Sequence, residues 1–331
     1  VYEKYLPYIN NNFDFAEMLS EMLGELNASH TGCRYYASGA TLSTAALGVF
    51  LDPSYEGDGL KIKEIIKRGP FAVKKNEVTP GSIIEKIDGT DIKAGEDYNA
   101  LLDGKAGKNI RLTIKNAKGK RFDLTIKAIS QGAQQELLYK RWVDRNRAIV
   151  DSVSHGRIAY VHVKAMNSES FRTVYSELLS EKNRTKDAVI VDERHNGGGW
   201  LHDDLCTLLS GKQYQEFVPH GKVVGKDPFN KWTKPSCVLI CEDDYSNGHG
   251  FPWVYKELGI GKLIGAPVAG TMTAVWWETL MDRSLVFGIP QVGCRDMRGT
   301  FGENTTLQPD IEVYNSPEDY ITGHDTQLIR A

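Results

Sequence analysis

The stretch Cys237-Val238-Leu239-Ile240-Cys241-Glu242-Asp243-Asp244-Tyr245-Ser246-Asn247-Gly248-His249-Gly250-Phe251 decides how the chain is read. Its first four residues form a short apolar run of the kind that makes a buried strand. A polar segment breaks the run, and a helical pattern resumes from Phe251 to Leu258. Ser246 and Asn247 therefore fall on a strand-to-helix turn, followed at once by Gly248. A serine placed there stands at the edge of a sheet beside backbone N–H groups that have no partner within the helix. Those N–H groups and the positive end of the helix dipole suit a developing oxyanion. Taken by itself, the segment reads first as an ordinary helix cap, since serine is favoured at that position. The rest of the chain must decide.

Upstream lies a second strand-to-helix junction. The strand Ile158 to Val163, the helix Ser168 to Leu179 and the apolar strand Ala188 to Val191 make a right-handed crossover unit with a parallel component to its sheet. Asp192-Glu193-Arg194-His195-Asn196-Gly197-Gly198-Gly199-Trp200 follows, ahead of a helix from Leu201 to Leu209. Three consecutive glycines cost backbone entropy, and they free N–H groups to approach a ligand closely. A phosphate loop is excluded by the glycine spacing and by the lack of a following Lys-Ser/Thr. An oxyanion-binding loop fits better, with a tight turn that needs positive φ as the alternative.

Composition narrows the class. The 331 residues are 41% hydrophobic and 25% charged, ordinary for a globular protein of two or three units. Forty basic against 43 acidic residues leave a net charge of −3, which offers no electrostatic case for nucleic acid or for an anionic membrane surface. No apolar run approaches the length of a membrane span. Cys33, Cys206, Cys237, Cys241 and Cys294 are scattered and form no CxxC pair, so free thiols are expected and no cofactor or metal is implied. The chain opens on Val1 rather than methionine, which reads as a processed or shortened chain and leaves localisation open.

Between Gly59 and Ser130 the texture changes. Leu60 to Ile66 roughly alternates, Asp88-Gly89 is a hairpin signal, and Ile110 to Ile114 and Phe122 to Ile126 alternate around the turn Ala117-Lys118-Gly119-Lys120. Tyr98 to Leu102 reads as a short helix. Short strands with one helix in a stretch of this size predict a small β-barrel. The segment "VTPGSIIEKIDGTDI" (78–92) resembles a PDZ domain, and this resemblance implies capture of an extended peptide end as an added strand. Ahead of it, Phe13 to Leu26 has helical spacing with Asn12 or Asp14 as cap, and Ser29-His30 lies on the turn that leaves this helix.

Together, Ser29-His30, the PDZ-like middle, "VDERHNGGGW" (191–200), "DYSNGHG" (244–250), "LGIGKLIGAPVAGTMT" (258–273) and "GENTTLQPDIEV" (302–313) resemble the tricorn proteases, relatives of the C-terminal-processing (tail-specific) serine peptidases. The resemblance covers the C-terminal core of that family; its β-propeller domains have no counterpart in this sequence. It implies an N-terminal helical part of the catalytic core (1–52), a PDZ-like domain (53–130) and an α/β peptidase core with a mixed sheet in a crotonase/ClpP-like spiral (131–331). Carried over by position, the nucleophile falls on Ser246, the general base on His30, the accessory hydroxyl on Ser29 and the supporting carboxylate on Glu303. The oxyanion donors fall on the N–H of Asn247 and on Gly197 or Gly198.

The chemistry asks for these types. A serine hydroxyl is a weak nucleophile until a base takes its proton, histidine titrates close to working pH, and a carboxylate reached through a hydroxyl can hold the imidazole tautomer. In the tail-specific relatives the base is a lysine after the serine helix, where this chain has Thr271; Lys262 reads as solvated. Acidic residues common after the nucleophile in the tricorn proteases are replaced here by Asn247 and His249. His249 is a weaker candidate base, and His195 reads as a pocket wall. The function implied is a serine endopeptidase acting on peptides or unfolded polypeptides. The alternatives are a protease that selects substrate C-termini through its PDZ domain, and a silent peptide-binding scaffold. The family further suggests a homo-oligomer and slightly favours the cytoplasm, with a periplasmic or secreted location open if a leader was removed.

Overall fold

The structure is a computed structural model and describes residues 2–37, 39, 43–74 and 77–331. The chain forms two compact units, residues 1–38 with 146–331, and residues 39–145.

In the first unit, five strands run parallel in the order Ile311–Glu312, Lys262–Gly265, Ser236–Ile240, Ala188–Asp192, Ile158–His162. Neighbours in the sheet are neighbours in the chain. Right-handed crossovers in such an order all wind the same way, as in the spiral expected from the sequence. Successive residues of the inner strands are buried although their side chains point to opposite faces, so both faces are covered. Val161, Val191, Val238 and Ile240 pack there with Leu205 of the helix His202–Leu209 and with Phe251 and Tyr255 of the helix Asn247–Glu257.

The mixed sheet expected for this core is divided in two. Among the described residues the parallel sheet contains no antiparallel member, and Gly32–Tyr35, Leu285–Gly293 and Thr273–Thr279 form a separate antiparallel sheet in that order. The strand from Thr273 is not legible in the sequence because Trp276, Trp277 and Glu278 show no alternation. Ala16, Cys33 and Leu285 form a small core between this sheet and the helix Asn12–Gly24. The cap of that helix is Asn11 rather than Asn12 or Asp14. Asn11 is extended, and its Oδ1 accepts the N–H groups of Phe13 and Asp14. Asp14 instead turns back to accept the N–H of Asn10.

Below the C-terminal end of the parallel sheet lies a buried ion cluster. The Arg194 guanidinium donates to both oxygens of Asp192 (2.9 and 2.7 Å) and both oxygens of Asp325 (2.9 Å each). Asp192 also accepts the Tyr160 hydroxyl at 2.8 Å. This two-sided fork ties the C-terminal helix Thr326–Arg330 to the strand that leads into the glycine loop. Glu193 is fully buried with neither oxygen hydrogen-bonded, and burial pushes its carboxyl well above the ordinary range.

The second unit is a six-stranded antiparallel sheet, Val49–Leu51, Leu60–Ile65, Ile83–Ile87, Asn109–Lys115, Arg121–Lys127, with Thr90–Asp91 beside Ile83–Ile87. It is not a fully hydrogen-bonded barrel. The two ends of the sheet are joined instead by one two-bond bridge between Ala46 and Ile129. Ile62, Ile84, Ile110, Leu112 and Ile114 fill its core.

Replacing Arg194 by Met strands the buried carboxylate of Asp192 and the half-buried one of Asp325. The expected cost is about 3–5 kcal/mol, to be read as a lower midpoint in urea unfolding; a loss below about 1 kcal/mol would contradict the role given to this cluster.

Candidate active site

The strands Ala188–Asp192 and Ser236–Ile240 are hydrogen-bonded neighbours. The loops leaving their C-terminal ends therefore meet, which is where ligands bind in open α/β sheets. Asn196 sews the two loops together. Its carbonyl accepts the Tyr245 N–H (2.9 Å), its N–H donates to Asp244 Oδ1 (3.1 Å), its side-chain NH2 donates to the Val163 carbonyl (2.8 Å), and its Oδ1 accepts the Gly198 N–H (2.9 Å). Asp244 in turn accepts the Cys241 N–H at 2.8 Å and closes the turn before the serine.

Ser246 sits at the head of the helix with φ 57° and ψ −119°, a backbone region costly for any residue with a side chain. Its side chain makes no capping bond, so the cap reading fails. Its N–H donates to Thr271 Oγ1 at 2.8 Å. That threonine stands where a Ser–Lys site would need a lysine, and Lys262 lies 3.7 Å from Asp310, mostly exposed.

The triple glycine has a steric reason. At Gly198 (φ +97°) a Cβ would stand 2.6 Å from Ser246 Cβ, and at Gly199 (φ +131°) 2.1 Å from the Met166 carbonyl oxygen. The Gly198 N–H is engaged by Asn196, whereas the amides of Gly197, Gly199 and Asn247 have no partner among the described residues. The Asn247 side chain is buried and accepts the N–H groups of Leu201 and His202 at 2.8 and 3.1 Å, which caps the neighbouring helix.

His30 arrives from the other side of the unit. It has φ 61°, its N–H donates to the Tyr245 hydroxyl (2.8 Å), and its ring lies 4.8 Å from the ring of that tyrosine. Tyr245 thus holds the imidazole beside the residue that precedes Ser246. Ser29 Oγ lies 2.7 Å from His30 Nδ1 and 2.9 Å from Glu303 Oε2, and Glu303 Oε1 accepts the Ser29 N–H at 2.5 Å. Thr273 Oγ1 touches both Ser29 Oγ (2.9 Å) and His30 Nδ1 (3.1 Å). A carboxylate only accepts, so the Ser29 proton points to Glu303. Ser29 Oγ then accepts from Nδ1–H. This leaves the lone pair on Nε2, which, like Ser246 Oγ, has no hydrogen-bond partner among the described residues; the two are not bonded to each other. Burial lowers the pKa of His30, and Glu303 offsets part of that.

Two residues of this network were absent from the sequence reading. Thr273 lies on the unread strand. Tyr245 is marked only by being an aromatic residue directly before the serine. A cavity of about 460 Å³ lies behind the network, lined by Ser29, Tyr245, Thr271 and Glu303 among others. His195 is bound to Asp243 at 3.0 Å. His249 is 1% exposed, with neither ring nitrogen hydrogen-bonded, and burial lowers its pKa to about 4.

Residues 157–313 match the model of peptidase family S41, and residues 55–131 match the tricorn protease PDZ domain. The S41 match spans just under half of the chain. The chain is 27% identical to the tricorn protease of Thermoplasma acidophilum, over 99% of this chain and 31% of that one. It is 29% identical to a putative tricorn-like protease C-terminal subunit of Sulfurisphaera tokodaii, over 99% and 38%. The crystal structure of the tricorn protease superposes with a TM-score of 0.83 at 26% identity, over 99% of this chain and 33% of that one. The chain thus spans about a third of the length of these relatives. No helix among the described residues is long and apolar enough to cross a membrane.

Two titrations test these environments. The His30 ring, followed by NMR, is expected to titrate below 6.5. Glu303→Gln removes the charge that raises its pKa and is expected to move it lower still; an upward move would contradict the network. For His249 the folded pKa of about 4 lies below the ordinary 6.5. Protonation therefore favours the unfolded chain, and stability falls as pH drops from about 6.5 toward 4. His249→Leu is expected to flatten that window by at most about 3 kcal/mol in urea unfolding.

Proposed function

We propose that this chain is a serine endopeptidase that cleaves peptides or unfolded polypeptides through an acyl-enzyme on Ser246. The observation that carries the reading is Ser246 itself: a strained serine, uncapped, at a helix N-terminus and pressed against a glycine loop. A cap would use its hydroxyl; here the hydroxyl is left over.

In the proposed cycle, Ser246 Oγ attacks the scissile carbonyl as its proton passes to His30 Nε2. The oxyanion is met by the N–H groups of Asn247 and Gly197, with the helix dipole behind the former. Collapse breaks the C–N bond, and His30 returns the proton to the leaving amine. Water then enters by the same route in reverse and frees the acid. Ser29 and Glu303 keep the proton on Nδ1, and Thr273 limits rotation of the ring. Names of the relatives support the activity: each of those given above is called a protease or protease subunit.

The PDZ match favours a second reading, in which the second unit selects substrates by their carboxyl end. Supporting it, Leu47, Val49, Leu51, Tyr98 and Leu102 line a cavity of about 90 Å³ along the outer strand, room for a small apolar side chain. A pair of peptides differing only in a free or amidated C-terminus separates the readings, since only the second expects the amide to be cut more slowly.

Ser246→Ala is expected to lower kcat by at least about 10³-fold with folding intact, and a fluorophosphonate should label wild type at Ser246. His30→Ala is expected to be as damaging, and kcat/KM should fall only below the usual histidine range because the His30 pKa is lowered. An unlabelled Ser246 would favour a silent scaffold, and an unchanged rate in His30→Ala would give the base role to another residue.

A further inference from the structure

On the far side of the loops that carry Ser246 and the glycines, three side chains of different chemistry converge. Cys241 Sγ lies 2.7 Å from Asp243 Oδ1 and 3.8 Å from His195 Nδ1, and His195 Nδ1 lies 3.0 and 3.1 Å from the two Asp243 oxygens. One ligand atom from each falls within 4.8 Å of the others. The geometry points to a binding site for a borderline-soft divalent cation of the Zn²⁺ class, held by Cys241, His195 and Asp243.

The donor set fits that cation. Thiolate, imidazole and carboxylate together select zinc-like ions over magnesium or calcium, which prefer oxygen alone. With zinc bonds of roughly 2.0–2.3 Å, the edges of a tetrahedron are about 3.3–3.6 Å. The observed separations bracket those edges and need shifts of under about 1 Å. The site is also one-sided. The sulfur is buried, whereas the His195 and Asp243 side chains are 50% and 65% exposed, so an ion can enter from solvent and keep a water as fourth ligand.

Charge argues the same way. The Asp243 carboxylate approaches the sulfur, and among the described residues no lysine or arginine pairs with it. Binding exchanges the thiol proton, released to solvent, for the cation, and no redox partner is involved.

The placement gives the ion a structural effect. His195 directly precedes Asn196 and the glycines, and Asp243 lies three residues before Ser246. The ion would fasten the end of one strand to the turn leaving its neighbour, the same junction that Asn196 closes with hydrogen bonds.

Cobalt(II) is a suitable probe, added to the full chain after chelation and reduction. The expected result is one equivalent bound per chain, with a thiolate-to-cobalt charge-transfer band and the visible absorption of a tetrahedral site, both displaced by Zn²⁺. Cys241→Ser should abolish the band, and Cys237→Ser should keep it. Asp243→Asn, an exposed change that does not threaten folding, should weaken binding by at least about 10-fold, the lower range for lost supporting ligands. Zn²⁺ should also raise the Tm of wild type and raise that of Asp243→Asn less at the same concentration, since an ion that binds only the folded chain stabilises it. No saturable band in wild type, a band that survives Cys241→Ser, or equal affinity in Asp243→Asn would overturn the assignment.

Discussion

The backbone of Ser246 is held at φ 57°, ψ −119°, and much of the first unit is arranged to keep it there. Such a conformation costs on the order of 1–3 kcal/mol and persists only where the surroundings over-determine it. Here they do. Tyr245 is tied to the Asn196 carbonyl, the Ser246 N–H to Thr271, and the Asn247 side chain to the next helix. Gly198 and Gly248 allow the two loops to touch: at Gly248 a Cβ would lie 2.5 Å from the Asn196 carbonyl oxygen. Strain at one residue is thus offset by hydrogen bonds distributed over two loops.

The same constraint orders the electrostatics. The Asn247 amide, at the positive end of a helix, has no partner among the described residues, and the glycine loop adds a further open amide at Gly197. Across the site, the imidazole of His30 is oriented by a chain of acceptors that ends on Glu303. In the function proposed above, the Ser246 hydroxyl would give up its proton to the imidazole as negative charge grows toward the open amides. Behind both, the Arg194 fork fixes the strand end from which the glycine loop departs.

The readings that succeeded and failed divide by the range of the interaction concerned. The strands around Val191 and Ile240 were legible because a strand buried on both faces needs an unbroken apolar run. The glycine loop was legible because only glycine tolerates those φ values and that closeness. Asn11 was missed as a cap because three neighbouring polar residues could each serve, and only the backbone angle chooses among them. Thr273 was missed because its strand lies in an exposed sheet whose sequence does not alternate. The role of Asn196 was invisible because it is made of four bonds, three of them to residues more than 30 positions away.

By itself, then, the sequence determined the local grammar: buried parallel strands, a serine at a strand-to-helix turn, and glycines where a side chain could not fit. It located His30, Ser29 and Glu303 only through resemblance, since nothing local marks a turn histidine or a half-exposed glutamate as functional. Tertiary structure decided that the serine is not a cap, that the Gly198 amide is already used, and that Tyr245 carries His30 to its place. The physical reason is that hydrogen bonds and van der Waals contacts act over a few ångströms. Residues 29 and 303 share such a contact only after the intervening chain has folded.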